Sequence, residues 1–468
     1  MLAGGVALLL MSPEDRLLAA PMLAMGVTGT FYMLALWARD GAPPLFEAGT
    51  LCMLAITVYG VMPMAGFLAM QGQWDRVSDG RLQNYPFVVG ELGAFGWRYA
   101  VYAASFAVTY LLVRGRTAVK SMRFTPPTPA TRTALIILFI ALYGCKLALK
   151  FGYGYDPDDF SYTDAAGSAA RSLVKAIPYF ILQIGHNILG ALFVVELGLM
   201  ILLIANWRKR WCRYGLVLWL LYEVLFTVVT LGSRGRAVLL LIGAGVLYHR
   251  LVRPVRFRRL IIAGALLLIG FLVVGAVRVV NSPEVRKERV GKILTAANEF
   301  QGLFTTAFDI HKRREAGSIR EIPWQVYVSD FYMPIPSQLL PFQKLDPSTW
   351  YIDLLGQTNQ GIGYMFGVMS QAAVGLGPIE LVVRGALLAV ALAMLQRWYV
   401  RRATRFWPTL LCLFVSIWAY YTFRASSFYF VYFVLYHFVP TLVATKVLAR
   451  VLSRYGAQRA GTPVSVAT

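Results

Sequence analysis

AIPYFILQIGHNILGALFVVELGLMILLIA, residues 176–205, decides the class of this protein. The block is apolar all round instead of along one 3.6-residue stripe, and it is at least as long as a bilayer's hydrocarbon layer is thick. A block of this kind crosses lipid only as a helix, because each backbone N–H must find its partner inside the segment. Comparable blocks recur at 16–37, 45–70, 89–113, 133–151, 214–231, 237–252, 260–280, 378–395, 408–423 and 428–449. The short alternating segments of a β-barrel are absent. The sequence therefore predicts an all-α fold: a polytopic transmembrane helical bundle of about 11 spans. Composition agrees, with 58% hydrophobic residues and a mean hydropathy of +0.59.

The formal net charge of +22 would point to nucleic acid in a soluble chain. Here the charge sits between the apolar blocks, and no nucleic-acid partner is expected. Five basic clusters fall on one side of the predicted spans: Arg114 to Arg132, Arg208 to Arg213, Arg250 to Arg259, Arg397 to Arg405, and a tail from Lys446 to Arg459. The positive-inside rule assigns that side to the cytoplasm. The opposite side carries an acidic stretch at 152–172, a tight turn at 232–236 and one long segment from 281 to 376. That long segment, rich in proline and aromatic residues, reads as a folded, functional periplasmic loop. The expected organisation is an N-terminal bundle over 1–280, the loop over 281–376, and C-terminal spans with a cytoplasmic tail over 377–468. Residues 1–11 are apolar but lack the basic start and cleavage site of a signal peptide, and read as a short or interfacial segment.

Cys52, Cys145, Cys212 and Cys412 lie in or beside apolar blocks without a C-x-x-C pair, so neither a disulfide framework nor structural zinc is expected. The histidines are scattered, and no metal site or cofactor is predicted. Asp156-Pro157-Asp158 matches D-x-D formally, but an acidic turn explains it as well. No P-loop, H-E-x-x-H or G-x-S-x-G is present, which favours a substrate that arrives already activated.

Arginines on the outer side or inside spans are the informative residues, because such depth costs several kcal/mol without an anion or carboxylate nearby. Arg234, Arg236, Arg278 and Arg424 share one boundary and are candidates to bind a diphosphate, for which the planar guanidinium is suited. The alternative for each is snorkelling, or pairing with Glu47, Glu91, Glu196 or Glu223, and Arg98 and Arg384 are read that way. Glu299, Asp309 and His311 are the candidate catalytic groups for proton transfer in the long loop. Asp330, Tyr332, Asp346 and Asp353 are further titratable groups there. His311 is flanked by Lys312, Arg313 and Arg314, which would lower its pKa and suit an exposed position equally well.

The second half of the chain resembles the bacterial oligosaccharide repeat-unit polymerases, the Wzy-type or O-antigen polymerases. Four pieces carry the resemblance: GSRGR at 232–236, with ten residues between Arg234 and Gly245; Asn298-Glu299-Phe300 with Ile335-Pro336 and Asp346-Pro347; the Gly-rich GIGYMFGVMSQAAVGLGPIELVVRGALLAV at 361–390; and Arg424 between the last two spans. It covers about residues 215–450, and its motifs are loose patterns. Family members often carry a carboxylate just after the Gly-rich re-entry, where this chain has Met369-Ser370-Gln371-Ala372.

The resemblance implies a metal-independent, C-type-glycosyltransferase-like enzyme of the bacterial inner membrane. It would move a growing glycan from its undecaprenyl diphosphate carrier to a lipid-linked repeat unit, making O-antigen, capsule or exopolysaccharide. Arg234, Arg236, Arg278 and Arg424 would hold the diphosphates, and Trp324, Tyr332, Trp350 and Tyr351 offer faces to sugars or pack the loop. The expected partners are undecaprenyl-diphosphate-linked oligosaccharides, the inner membrane and a chain-length regulator. An O-antigen ligase and a glycolipid flippase or exporter are the rival readings, and intramembrane Lys146, His186, Glu196 and Glu223 keep the last open.

Overall fold

The computed structural model describes residues 11–41, 46–69, 89–115, 124–153, 179–230, 234–255, 299–319, 321–335, 339–357, 365–425 and 427–459, with isolated helical positions between 259 and 270. The predicted span at 260–280 and most of the 152–172 stretch lie outside these residues. Apart from one isolated bridge, Thr125 to Arg405, the regular structure described is helical. The long helices are α1 (Pro13–Asp40), α2 (Ala48–Ala69), α3 (Val89–Arg114), α4 (Pro129–Tyr153), α5 (Tyr179–Ala205), α6 (Arg210–Thr230) and α7 (Arg234–Leu251). Next come α8 (Glu299–Glu315), the short α9 (Trp324–Tyr327), α10 (Ser329–Tyr332), α11 (Pro347–Leu354) and α12 (Val368–Val374), then α13 (Pro378–Val400) and α14 (Phe406–Trp418). A 3₁₀ turn (Ala419–Phe423), α15 (Phe430–Phe433), a π-helical turn (Val434–Phe438) and α16 (Val439–Arg459) complete the order.

Seven described helical segments are long and apolar enough to cross a membrane: Pro13–Asp40, Ala48–Leu68, Pro129–Leu149, Asn187–Ala205, Pro378–Val400, Phe406–Phe423 and Phe430–Tyr455. The protein is a multi-pass helical membrane protein. Helices α3, α6 and α7 form where spans were predicted but are more polar. Glu91, Arg98 and Arg114 interrupt α3, for example.

The ends of α1 follow from sequence. Ser12 caps the N-terminus, accepting from the Asp15 N–H at 3.2 Å, with Pro13 in the first turn. Gly41, at φ 68°, closes the C-terminus by donating its N–H to the Trp37 carbonyl.

The chain divides into two compact units. One contains the described parts of 1–118, 255–400 and 416–430. Here α1 and α2 run antiparallel, because Gly60 lets Met25 approach and Gly49 lies against Tyr32 and Tyr110. Helix α3 runs parallel to α1: Gly93 meets the Leu17 carbonyl near their starts, and Arg39 donates to the Leu111 carbonyl near their ends. Helix α13 joins in the same sense, with Ser105 donating to Val382 O (2.6 Å) and Arg397 to Val113 O (3.2 Å). Small residues at these crossings let backbones approach closely, as packing inside lipid requires. The C-terminal ends of α1, α3 and α13 thus share the end of this unit where Arg114 forms buried ion pairs with Asp40 and Glu47.

Helices α8 and α12 occupy the other end. Helix α8 is antiparallel to α3: Phe304 stacks on Tyr99, Phe308 meets Phe95 edge-on, and Lys312 bonds Glu91 at 3.0 Å. Its first turn dips into the bundle, where Phe300 meets Tyr59 at the middle of α2. Phe423 of the 3₁₀ turn stacks on the same Tyr59.

The other unit contains the described parts of 119–254, 401–415 and 431–468. Helix α5 is its centre, touched by α4, α6, α7 and α16. Gly190 accommodates His437, which the π-helical turn carries against it. In the first unit α1, α2 and α3 pack on one another, α2 also touches α8, and α2 and α3 both touch α13.

Candidate functional site

Helix α8 gathers charge at its C-terminal end because Asp309, His311, Lys312, Arg313, Arg314 and Glu315 fall within two turns. Residues three and four apart face one another on a helix. Asp309 accordingly accepts from Arg313 Nε at 2.9 Å, and Glu315 accepts from Lys312 at 3.1 Å. Arg314 points away from these partners and donates to the carbonyls of Ala373 (3.1 Å), Val374 (2.6 Å) and Gly375. Those carbonyls end α12, so Arg314 satisfies groups that a helix terminus leaves open and meets its negative dipole end.

Helix α12 is buried over its whole length. A Cβ at Gly367 would collide with the Phe423 carbonyl, and one at Gly375 with the Glu380 carboxylate. Only glycine lets this segment descend to the 3₁₀ turn and return. Glu380 accepts from the Leu376 N–H at 2.8 Å, and Gly377 at φ 62° precedes Pro378, which fixes the start of α13.

Between α3, α8 and the α12–α13 turn lies a cavity of about 450 Å³, lined by Arg98, His311, Arg314, Glu315, Ala373, Gly375, Leu376 and Gly377. The Arg98 guanidinium lies over the Phe95 ring (4.7 Å), 3.2 Å from His311 Nδ1 and 2.9 Å from Nε2. His311 Nε2 is 3.0 Å from Glu315 Oε1. Arginine can only donate and a carboxylate only accept. The consistent tautomer therefore carries the proton on Nε2, with Nδ1 accepting from Arg98. Burial, then the Arg98 charge, pushes the His311 pKa down to about 4, so the ring is neutral near pH 7. The Lys312 hydrogen bond holds Glu315 below its ordinary value. Among the described residues, neither Arg98 nor Arg314 has a carboxylate within ion-pair distance.

Beside this cavity Arg384 crosslinks four segments. It forms an ion pair with Asp330 of α10, reaches Glu380 (2.6 Å) on its own helix, and bonds Gln371 of α12 and Ser427 (3.0 Å each). Gln371, at the position where a carboxylate was missed, also donates to Ser329 at 3.1 Å.

The predicted residues distribute unevenly. Asp309 is fully buried and accepts from the Tyr351 hydroxyl at 2.6 Å, fastening α8 to α11. His311 is on the cavity wall, half-buried instead of on an open surface. Arg424 is half-buried over the Tyr421 ring at 5.4 Å and is not part of the cavity lining. Arg236 belongs to the other unit and is ion-paired with Glu196, the alternative expected for it. Arg234 and Glu299 begin α7 and α8, with side chains outside the described set, and Arg278, Asn298 and Asp156 to Asp158 are outside it altogether. Asp346 caps α11 through the Thr349 N–H. Tyr332, Trp350 and Tyr351 pack the loop, whereas Trp324 is exposed and meets Phe342.

Sequence reasoning missed Arg314 and Glu315 and set Arg98 and Arg384 aside as paired charges. Arg384 is paired, but with Asp330 and Glu380. Glu47 and Glu91 serve Arg114 and Lys312 instead. The usable signal was the i, i+4 register of α8, which places Glu315 below His311 and turns Arg314 to another face. Comparison with family models, with curated proteins and with solved structures finds no match to this chain.

Proposed function

We propose that this protein is a membrane-embedded glycosyltransferase that joins lipid-diphosphate-linked saccharide units at the outer face of a bacterial inner membrane. One observation carries the reading: Arg98 and Arg314 line a 450 Å³ cavity, and among the described residues neither has a carboxylate within ion-pair distance, Glu315 and Glu380 acting on them only from farther off. A guanidinium held at such depth favours a phosphate, which it can meet with two parallel hydrogen bonds. Arg114 and Arg397, in the last turns of α3 and α13, lie at the opposite end of this unit from the cavity, which by the positive-inside rule supports an outer-face position for it.

In the proposed reaction an acceptor sugar hydroxyl attacks the anomeric carbon of the donor. The carbon–oxygen bond to the diphosphate breaks, and the lipid diphosphate leaves with the electron pair. Arg98 and Arg314 stabilise its growing charge, a contribution typically worth 10²–10³-fold per donor group. The acceptor proton goes to the Glu315 carboxylate, which faces the cavity, while neutral His311 fixes Glu315 relative to Arg98. Asp309 is assigned to holding α8. Arg236 has its counter-charge in Glu196, and Arg424 borders the re-entrant segment.

A second reading, export of the lipid-linked unit, has its own support. In the other unit Lys146, Glu196, Glu223 and Arg236, from four successive helices, interact electrostatically within the apolar layer. Deleting the gene in its host and following the lipid-linked glycans separates the readings. Single units on lipid diphosphate at the outer face are expected for a polymerase. Finished polymer left on the lipid would mean a ligase, and units confined to the cytoplasmic face an exporter. Arg98→Gln and Arg314→Gln chains, expressed at normal level, should fail to restore polymer, and full restoration by both would overturn the site.

A further inference from the structure

The loop segment after α8 has two unlike faces. Val326, Ser329, Asp330 and Tyr332 are buried. Trp324, Tyr327, Val328, Phe331 and Ile335 recur at i, i+3, i+4, i+7 and i+11 and are exposed, Phe331 at 69% and Trp324 at 52%. Leu339 is exposed as well, at 73%. Water would penalise such a row, and an apolar patch of this kind marks a surface that something apolar covers.

The depth of the row identifies the cover. Asp330, next to Phe331, is ion-paired with Arg384, which lies in the second turn of the membrane-crossing helix α13. On that helix Val383 and Leu387 lie beside Arg384 and are about half exposed, as is Val382, and Ile379 above them is about two-thirds exposed. The exposed row of α9–α10 is therefore fastened level with, and at the edge of, the lipid-facing surface of α13. Its aromatic members, Trp324 and Tyr327, are of the type that settles at a membrane–water interface.

We infer that the α9–α10 segment is a membrane-inserted element, its Trp324–Leu339 face embedded among the acyl chains of the outer leaflet and its Asp330 face closing the protein. The element makes part of the loop a piece of the membrane surface. The inference stands whatever the cavity binds.

Spin labels at Phe331→Cys, Ile335→Cys and Leu339→Cys, in a cysteine-free full-length chain reconstituted into phospholipid vesicles, test it, with exposed Glu321→Cys as the aqueous reference. Collision with dissolved oxygen should be several-fold more favoured over collision with a water-soluble nickel chelate at the three labels than at the reference. Nickel access equal to the reference would overturn the inference. So would low access to both reagents, the mark of a protein partner or a second copy covering the face. All four label sites are exposed, and monodispersity in detergent checks that the chain folds normally with buried Cys52 and Cys412 also replaced.

Discussion

Arg384 shows how one residue sets the geometry around it. Its guanidinium joins α10, α12, α13 and the segment at Ser427, and Asp330 supplies the neutralising charge. Removing one member of a buried pair costs about 3–5 kcal/mol where the other is left uncompensated, and Glu380, 2.6 Å from Arg384, keeps the loss of Asp330 below that range. Asp330→Ala should therefore lower the thermal midpoint in detergent markedly, and adding Arg384→Met should recover part of the loss. His311 gives a pH signature. Its folded pKa of about 4 lies below the ordinary value near 6.5, so between these limits the unfolded chain binds more protons. Stability should be fully present above about pH 6.5 and fall as pH drops toward 4. His311→Gln should flatten that part of a stability–pH curve. The sequence showed the basic neighbours that lower this pKa. It did not show the larger cause, burial against α3, which depends on a residue 213 positions away.

At the scale of elements, α12 is decided by glycine. Gly367 approaches the Phe423 carbonyl too closely for any side chain, so Gly367→Ala must displace the re-entrant segment, Gln371 and the carbonyls that hold Arg314. A loss of transfer activity in purified membranes is expected. Gly245→Ala in α7, with open space around it, should be neutral or slightly stabilising, since alanine favours a helix interior by about 1 kcal/mol. Both glycines stand out in the sequence, and only the approach of a remote carbonyl distinguishes them. The ends of α1, three residues beyond each end of the expected 16–37 block, are set locally, because Ser12, Pro13 and Gly41 act through neighbours within four residues.

For the whole molecule, the parallel run of α1, α3 and α13 makes a prediction about sidedness. A cysteine at Glu321 should react with a membrane-impermeant maleimide added outside intact spheroplasts, and one at Arg401, just past α13, only after lysis. The reverse pattern would invert the orientation and remove the argument for an outer-face site. The basic clusters were readable as a row of loops. That the cavity lies at the far end of the helices carrying them required the register of α3 against α8 and α13.

Sequence by itself determined that this is an all-helical, multi-pass membrane protein and where most of its long helices lie. Length, apolarity and end caps are local properties, and lipid leaves the backbone few other solutions. It also marked the 281–376 stretch as more than a linker. Only the tertiary structure decided which charges neutralise one another. Arg236 found Glu196, Arg384 found Asp330, and Arg98 and Arg314 were left facing a cavity. The reason is that a buried charge is defined by what lies within a few ångströms of it in space, and those neighbours come from helices far apart in the chain.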